Sequence, residues 1–366
     1  MKLDIVVFGL SITSSWGNGH AVTYRALLKA LAARGHQITF LERDVPWYRE
    51  NRDLAKADFC RIELYKELRD LALYASLVAE ADLVILGSYV PDGATVGDWI
   101  TSAARGVTAF YDIDTPVTLA GLAQGRTEYL TPSLIPRFDL YLSFTGGPTL
   151  ELLERRYGSP CARPLYCTAD SDLHAPLALE HDYALGYLGT YSKDRQPALD
   201  RLLIEPAREL KTERFVVAGA QYPASLRFPK NVTHIAHAPP AEHSAFYARQ
   251  RFTLNVTRAD MVAAGYSPSV RLFEAAACAV PVISDRWAGL ETFFTPGSEI
   301  LIADNADEVI TILQDLPEAR RRAIGEAAHR KFLSAHSPAQ RARDLESYYA
   351  AIVEAKPEHA LAEGVA

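Results

Sequence analysis

The stretch Ser267-Pro-Ser-Val-Arg-Leu-Phe-Glu-Ala-Ala-Ala-Cys-Ala-Val-Pro-Val-Ile-Ser-Asp285 carries a loop, a short helix and a buried strand in succession. Pro268 suits the first helical position, because its missing N–H would have no partner there. Ser267 before it can accept from the free N–H groups, and Ser269 adds a hydroxyl in the first turn. Helical spacing puts Ser267, Arg271, Glu274 and Cys278 along one stripe, with Leu272, Ala276 and Ala279 elsewhere. A helix N-terminus bearing two hydroxyls and an arginine is an anion site suited to phosphate. A carboxylate one turn deeper can accept hydrogen bonds from the vicinal hydroxyls of a sugar. Phosphate end and diol end together describe a nucleotide. The plainer alternative is a surface ion pair between Arg271 and Glu274, at i,i+3 on an Ala-rich packing helix.

These residues resemble the nucleotide-sugar site of GT-B glycosyltransferases (glycosyl transferases group 1), where a Glu on such a helix precedes Ala-x-Gly-x-Pro-Val-Ile. The resemblance is closer to the CgeB-like branch, the spore-maturation-protein type, through Pro-Ser-x-Arg-Leu-Phe-Glu-Ala-Ala-Ala-Cys. The chain departs from the pattern twice. Ala279 stands where such proteins usually have Gly, at a position that favours left-handed backbone. Tyr266 stands where the paired-glutamate version of the motif has its first Glu, which removes a carboxylate from the donor sugar. The resemblance covers most of residues 1–350. It implies an α/β fold of two Rossmann-like domains facing across a cleft, with a final helix crossing back onto the first.

Length and composition agree with two domains of ordinary size: 366 residues, 49% hydrophobic and 23% charged. A formal net charge of −7 argues against a nucleic-acid-binding surface or a polybasic membrane patch. Any phosphate site must be locally positive against that background. Cys60, Cys161, Cys167 and Cys278 lack zinc-like spacing and are sparse for a disulfide scaffold, which points to a reducing cytoplasm. The opening Met-Lys-Leu-Asp-Ile-Val-Val-Phe-Gly is too short for a signal core or a span and reads as a first strand. Asn231-Val-Thr and Asn255-Val-Thr match a glycosylation sequon by chance in such a context.

Short β-branched runs alternate with helical patterns, which implies parallel sheets covered by helices. Strands are expected near 3–8, 37–42, 83–87, 107–111 and 138–143, with a helix from Ala21 to Arg34 stopped by Gly35. Residues 50–80 read as helical and amphipathic. A second series follows a loop-like stretch at 168–182, with strands near 184–189, 214–219, 232–236, 252–256, 281–284 and 298–303. Helices are expected at 195–209, 241–249, 268–278, 317–333 and 338–354, and the tail from Lys356 is expected to fray. The domains are therefore drawn as 1–172 with the crossing helix 338–355, and 183–337.

Four further clusters sit at strand ends. After the first strand, Gly17-Asn18-Gly19-His20 lets a ligand approach the backbone, and it is neither Gly-x-Gly-x-x-Gly nor a P-loop. It looks like the acceptor-side loop of GT-B enzymes, so the resemblance makes His20 a base for an acceptor hydroxyl; the alternative is a residue lining the helix start. Phe110-Tyr-Asp112-Ile-Asp114-Thr-Pro116 ends the fourth strand, where ligands of open α/β sheets bind. Asp-x-Asp is also a metal signature, but alternate strand residues point to opposite faces. One acid is expected at a sugar or as a base, the other supporting the turn; Asp114 as a cap is the alternative. Ser143-Phe-Thr-Gly146-Gly147 reads as cleft wall or as a plain β–α turn. Gly186-Tyr-Leu-Gly189-Thr190-Tyr-Ser192-Lys193-Asp-Arg195 opens the second domain, and by resemblance Lys193 or Arg195 neutralises the diphosphate. His237, before Ala-Pro-Pro, marks the usual place of the nucleobase. His234, His237 and His243 have no zinc-like spacing in one helix, and none is read as a metal ligand.

The resemblance thus implies a metal-independent glycosyltransferase with no cofactor, moving a sugar from a nucleotide diphosphate donor, UDP-linked, to an unidentified acceptor. Arg271 and its helix end would hold the leaving group, Glu274 the ribose diol, and His20 or Asp112 the acceptor. A nucleotide-sugar epimerase of the same fold and a non-catalytic nucleotide-sugar-binding protein are the alternatives.

Overall fold

The computed structural model describes residues 1–126 and 128–355; the tail from Lys356 lies outside the described residues. The chain divides into two units, one formed by Met1–Tyr166 together with the segment from Pro338, the other by Cys167–Ser337. Residues 167–172, grouped above with the first domain, belong to the second unit. There Thr168 Oγ1 donates to the His336 carbonyl at 2.6 Å.

The first unit holds strands β1 (Asp4–Gly9), β2 (Gln37–Arg43), β3 (Arg61–Tyr65), β4 (Leu83–Gly87), β5 (Val107–Asp112), β6 (Leu140–Ser143) and β7 (Ala162–Pro164). They form one sheet in the order β3-β2-β1-β4-β5-β6-β7, every pair parallel. Ile5 and Val7 face one apolar layer with Tyr24, Leu27, Leu28 and Leu31, while Val6 and Phe8 face another with Val96 and Ile100. Burial on both faces is why these strands read as unbroken apolar runs. The helix Gly19–Ala33 ends before Gly35, whose φ of 92° is left-handed. The last helix, Pro338–Ala355, lies against it, adding Ala342, Leu345 and Tyr349 to the first layer. Arg34 grips Glu346 through two bonds of 2.6 Å.

The expectation of continuous helix over 50–80 is corrected. That stretch contains β3, then a 3₁₀ turn at Leu68–Tyr74 and a short helix at Ala75–Glu80. Arg61-Ile-Glu-Leu-Tyr65 is an edge strand, and its pairing with β2 outweighs the local helical pattern. The three-residue edge strand β7 was likewise too short to carry a periodic signal.

The second unit holds β8 (Tyr183–Leu188), β9 (Phe215–Ala218), β10 (Val232–Ile235), β11 (Gln250–Asn255), β12 (Val282–Ser284) and β13 (Leu301–Ile302), ordered β10-β9-β8-β11-β12-β13. In each sheet the first strand in sequence has later strands on both sides. The order reverses between β1 and β4, and again between β8 and β11, and the carboxyl ends of those pairs open the crevices where ligands of such sheets bind.

The helix of the opening motif spans Val270–Ala277, two residues later than its serines and proline imply. Ser269, not Ser267, is the flanking residue, with extended backbone at φ −75°, ψ 150°. Its hydroxyl does not cap the helix; it donates to Asn255 Oδ1 at 2.7 Å. The other end closes as a Schellman motif, Ala279 N–H to the Ala276 carbonyl and Val280 N–H to the Ala275 carbonyl, each 3.0 Å. Ala279 holds φ 57° there, a conformation that strains any residue with a Cβ. Ala279→Gly is therefore expected to raise the unfolding free energy by about 1 kcal/mol in urea denaturation.

Candidate functional site

Arg271 occupies the crevice between β8 and β11. Its Nε donates to the Leu188 carbonyl at the end of β8, and Nη1 donates to Asn255 Oδ1 (3.0 Å) at the end of β11. The guanidinium carbon lies 4.6 Å from the centre of the Tyr187 ring. Gly189 lets Arg271 and Tyr187 approach the backbone, because a Cβ there would come within 2.8 Å of Arg271 Nη2 and 2.5 Å of Tyr187 Oη. The alternative of a surface pair between Arg271 and Glu274 does not form; Arg271 is buried and faces the strand ends.

Arg195 follows on the same loop, its Nη2 donating to the Thr190 carbonyl at 2.7 Å while its buried Nε has no partner. Burial, and then the charges of Arg271 and Arg258, pull its pKa below the ordinary guanidinium value against the opposing effect of Tyr187 and Asp194. The nearby Asp285 directs its carboxylate to the Thr257 N–H (2.9 Å) and hydroxyl (2.8 Å). Positive charge is thus concentrated at this crevice with few carboxylates to cancel it. Thr190 and Lys193 are exposed on the loop, Ser267 is buried just before the helix, and His237 is exposed between β10 and the turn Pro240–Glu242.

Glu274 sits deeper than its expected diol role implies, 5% exposed. Tyr247 donates to its Oε2 at 2.8 Å, while Oε1 faces His174 Nε2 at 3.7 Å and His243 Nδ1 at 3.8 Å. Burial alone would raise its pKa; His243, His174 and Tyr247 outweigh it and hold the carboxyl at about 2.

In the first unit the crevice between β1 and β4 holds a different set. Asn18 caps the helix start by accepting from the His20 N–H at 3.1 Å, and Gly17 (φ 60°) turns the chain into it. Gly19 is the first helical residue. Buried Glu42, which sequence reading passed over, anchors the loop by accepting from the Ile12 and Thr13 N–H groups and the Thr13 hydroxyl. The His20 ring packs edge-on against Tyr89 at 5.3 Å, and its buried Nδ1 has no partner. Burial lowers its pKa to about 4, below the ordinary imidazole value, so the ring is neutral at pH 7. Tyr89 donates to Asp114 Oδ2 at 3.0 Å from a backbone at φ 63°, a strained conformation for a bulky residue. Tyr129 stacks on Tyr89 at 4.8 Å beside a small pocket that Thr118 and Arg126 also line.

The expectation that Asp112 meets the acceptor is corrected. Asp112 is fully buried, with Oδ2 accepting from Tyr141 Oη (2.6 Å) and Oδ1 from Thr118 Oγ1 (2.8 Å) and the Asp114 N–H (3.2 Å). Both oxygens accept hydrogen bonds from within the unit. Asp114 occupies the N-cap position of helix Thr115–Ala123 but makes no side-chain cap bond. The two sequon asparagines are internal as well. Asn231 Nδ2 donates to three backbone carbonyls, and Asn255 is buried beneath Arg271. Gly146 and Gly147 form a β–α turn into helix Pro148–Arg155, with no Cβ at Gly146 to strike Tyr166.

Residues 195–347 match the glycosyl transferase-like family. The whole fold is similar to sucrose-phosphate synthase from Thermosynechococcus elongatus, with TM-score 0.69, 16% identity, and 96% of this chain and 100% of that one covered. It is similar to HepE of Anabaena in complex with UDP and glucose, with TM-score 0.70, 12% identity, and 95% and 99% covered. An α-glucosyltransferase in complex with UDP and a 13-mer DNA matches at TM-score 0.68 and 12% identity, with 96% and 100% covered. No curated protein matches the chain by sequence. The fold is therefore GT-B, two Rossmann-like α/β units, and the second carries a glycosyl transferase-like domain. Among the described residues no helix is long and apolar enough to cross a membrane.

Burial pushes Asp112 up to about 6, above its unfolded value, even though Tyr141 and Thr118 hydrogen-bond to it. A raised folded-state pKa favours the folded state below the unfolded value and loses that contribution as pH rises through the folded one. Urea denaturation should therefore show the parent gaining stability relative to Asp112→Asn as pH falls from about 6 to about 4.

Proposed function

We propose that this protein is a glycosyltransferase that moves a sugar from a UDP-linked donor to an acceptor hydroxyl or related nucleophile, in the manner of the CgeB-like branch. The carrying observation is the cation cluster at the β8–β11 crevice, where Arg195 Nε is buried without a partner and burial, with Arg271 and Arg258 adding to it, lowers its pKa. A diphosphate supplies the missing acceptors and charge. Lys193, exposed on the same loop, adds to the attraction, and the Gly189 backbone lies beside Arg271. The nucleobase is assigned to the loop at His237, and uridine is favoured because HepE and the α-glucosyltransferase were solved with UDP.

In the reaction the bond from the anomeric carbon to the diphosphate oxygen breaks and a bond to the acceptor oxygen forms. The charge developing on the leaving diphosphate falls on Arg271 and Arg195, and stabilising such charge is usually the largest catalytic contribution. On the acceptor side we assign the hydroxyl proton to Asp114, held by Tyr89, with neutral His20 orienting the hydroxyl. Asp112 takes no part beyond supporting the Asp114 turn. Cationic side chains at the diphosphate take the place of a divalent ion.

Calorimetric titration with UDP tests the donor site. Arg271→Ala and Arg195→Ala should each weaken binding about tenfold or more, since a charge-assisted hydrogen bond contributes about 1.5–3 kcal/mol. Unchanged affinity in both rejects the site.

Transfer to an added acceptor tests the other side. Asp114→Asn should slow it about 10²–10⁴-fold while UDP affinity stays at the parent level, and His20→Ala should slow it too. Parent rates in both reject the acceptor assignment. Free UDP with an altered sugar in the absence of acceptor would indicate the epimerase, and donor binding without any turnover a binding protein.

A further inference from the structure

His174, His243 and Glu274 reach one point in the second unit from three places in the chain: the segment after Asp170, the first residue of helix His243–Ala248, and the middle of helix Val270–Ala277. His174 Nε2 lies 3.5 Å from His243 Nδ1 and 3.7 Å from Glu274 Oε1, and His243 Nδ1 lies 3.8 Å from the same oxygen. The far nitrogens of the two rings decide what this means. His174 Nδ1 is 3.1 Å from the Asp170 carbonyl, and His243 Nε2 is 3.2 Å from the Ala238 carbonyl. A carbonyl only accepts, so each of those nitrogens carries its ring's N–H. A neutral imidazole has one N–H. With both rings neutral, the nitrogens that face Glu274 present lone pairs, and three electron-pair donors converge where the side chains are 0%, 12% and 7% exposed. Such an arrangement is repulsive unless positive charge lies among them.

We propose that His174, His243 and Glu274 form a binding site for a divalent transition metal, zinc being the best fit. The point equidistant from the three donor atoms lies about 2.1 Å from each, the length of zinc bonds to imidazole and carboxylate. A distal ring N–H donated to a backbone carbonyl is the arrangement that fixes the tautomer of a zinc-binding histidine. Tyr247 occupies Glu274 Oε2, so the carboxylate binds through Oε1 alone. Two nitrogens and an oxygen suit zinc, whereas calcium and magnesium take oxygen ligands. The ion fastens the segment that follows β7 and the helix His243–Ala248 to the helix that carries Arg271. It is remote in role from the diphosphate, and a structural zinc here leaves transfer itself metal-independent. The spacing of these residues, 69 and 31 positions apart, is why they were not read as ligands from the sequence.

The test reads metal content, so its failure and that of the proposed activity are separable. Full-length protein stripped with a chelator is titrated with Zn²⁺ alone against a colorimetric competitor. One zinc per chain is expected, and His174→Ala and His243→Ala should each weaken it about tenfold or more. If the stripped parent takes up no zinc, a proton shared between the imidazoles occupies the point and the proposal is overturned. Undiminished binding in both variants overturns it as well. Should the variants fold poorly, X-ray absorption on the zinc-loaded parent decides: two imidazoles in the first shell support the site, and a sulfur-containing or imidazole-free shell overturns it.

Discussion

A buried guanidinium held by neutral acceptors is the interaction on which the second unit's site depends. Arg271 ties the end of β8 to the end of β11 through a carbonyl and an amide oxygen, and it rests on the face of Tyr187. Burying a charge is costly unless it is hydrogen-bonded. Here the bonds come from groups without charge, so the cation is satisfied in geometry yet its field is left for a ligand. A carboxylate in the same place would have made a closed ion pair. The neighbours are arranged around it: a Cβ on Gly189 would press on its Nη2, and Ser269 shares Asn255 with the arginine.

The first unit repeats the topology with opposite chemistry. Its β1–β4 crevice presents an aromatic set with one carboxylate, His20 against Tyr89 and Tyr89 bonded to Asp114. A low pKa keeps His20 uncharged there. One sheet pattern thus presents a site suited to an anion and a site suited to a neutral hydroxyl, and the difference lies wholly in the side chains at the carboxyl ends of the strands.

Two buried carboxylates illustrate how surroundings decide ionisation. Asp112 and Glu274 are both withdrawn from water, yet one is pushed up to about 6 and the other held at about 2. Hydroxyls and one N–H around Asp112 do not offset burial. Two imidazoles beside Glu274 do. Residue type and motif position are the same kind of signal for both, so neither outcome can be read from the chain alone.

Local pattern along the chain accounts for part of this architecture. Apolar runs such as Ile5–Phe8 and Leu83–Leu86 specify buried parallel strands, Gly35 stops the first helix, and the Ser267–Asp285 motif points to the nucleotide unit. Tertiary structure decided what depends on residues far apart in the chain. Edge strand β3 exists because β2 offers it a partner, and Ser269 turns from the helix to Asn255 because that amide already holds Arg271. Tyr89 and Glu42 belong to the sites without belonging to a motif, since strand order alone brings them to the crevices. His174, His243 and Glu274 meet for the same reason. Side-chain periodicity is a property of neighbouring residues, whereas hydrogen-bond partners and pKa values are set by whatever the fold brings within a few ångströms.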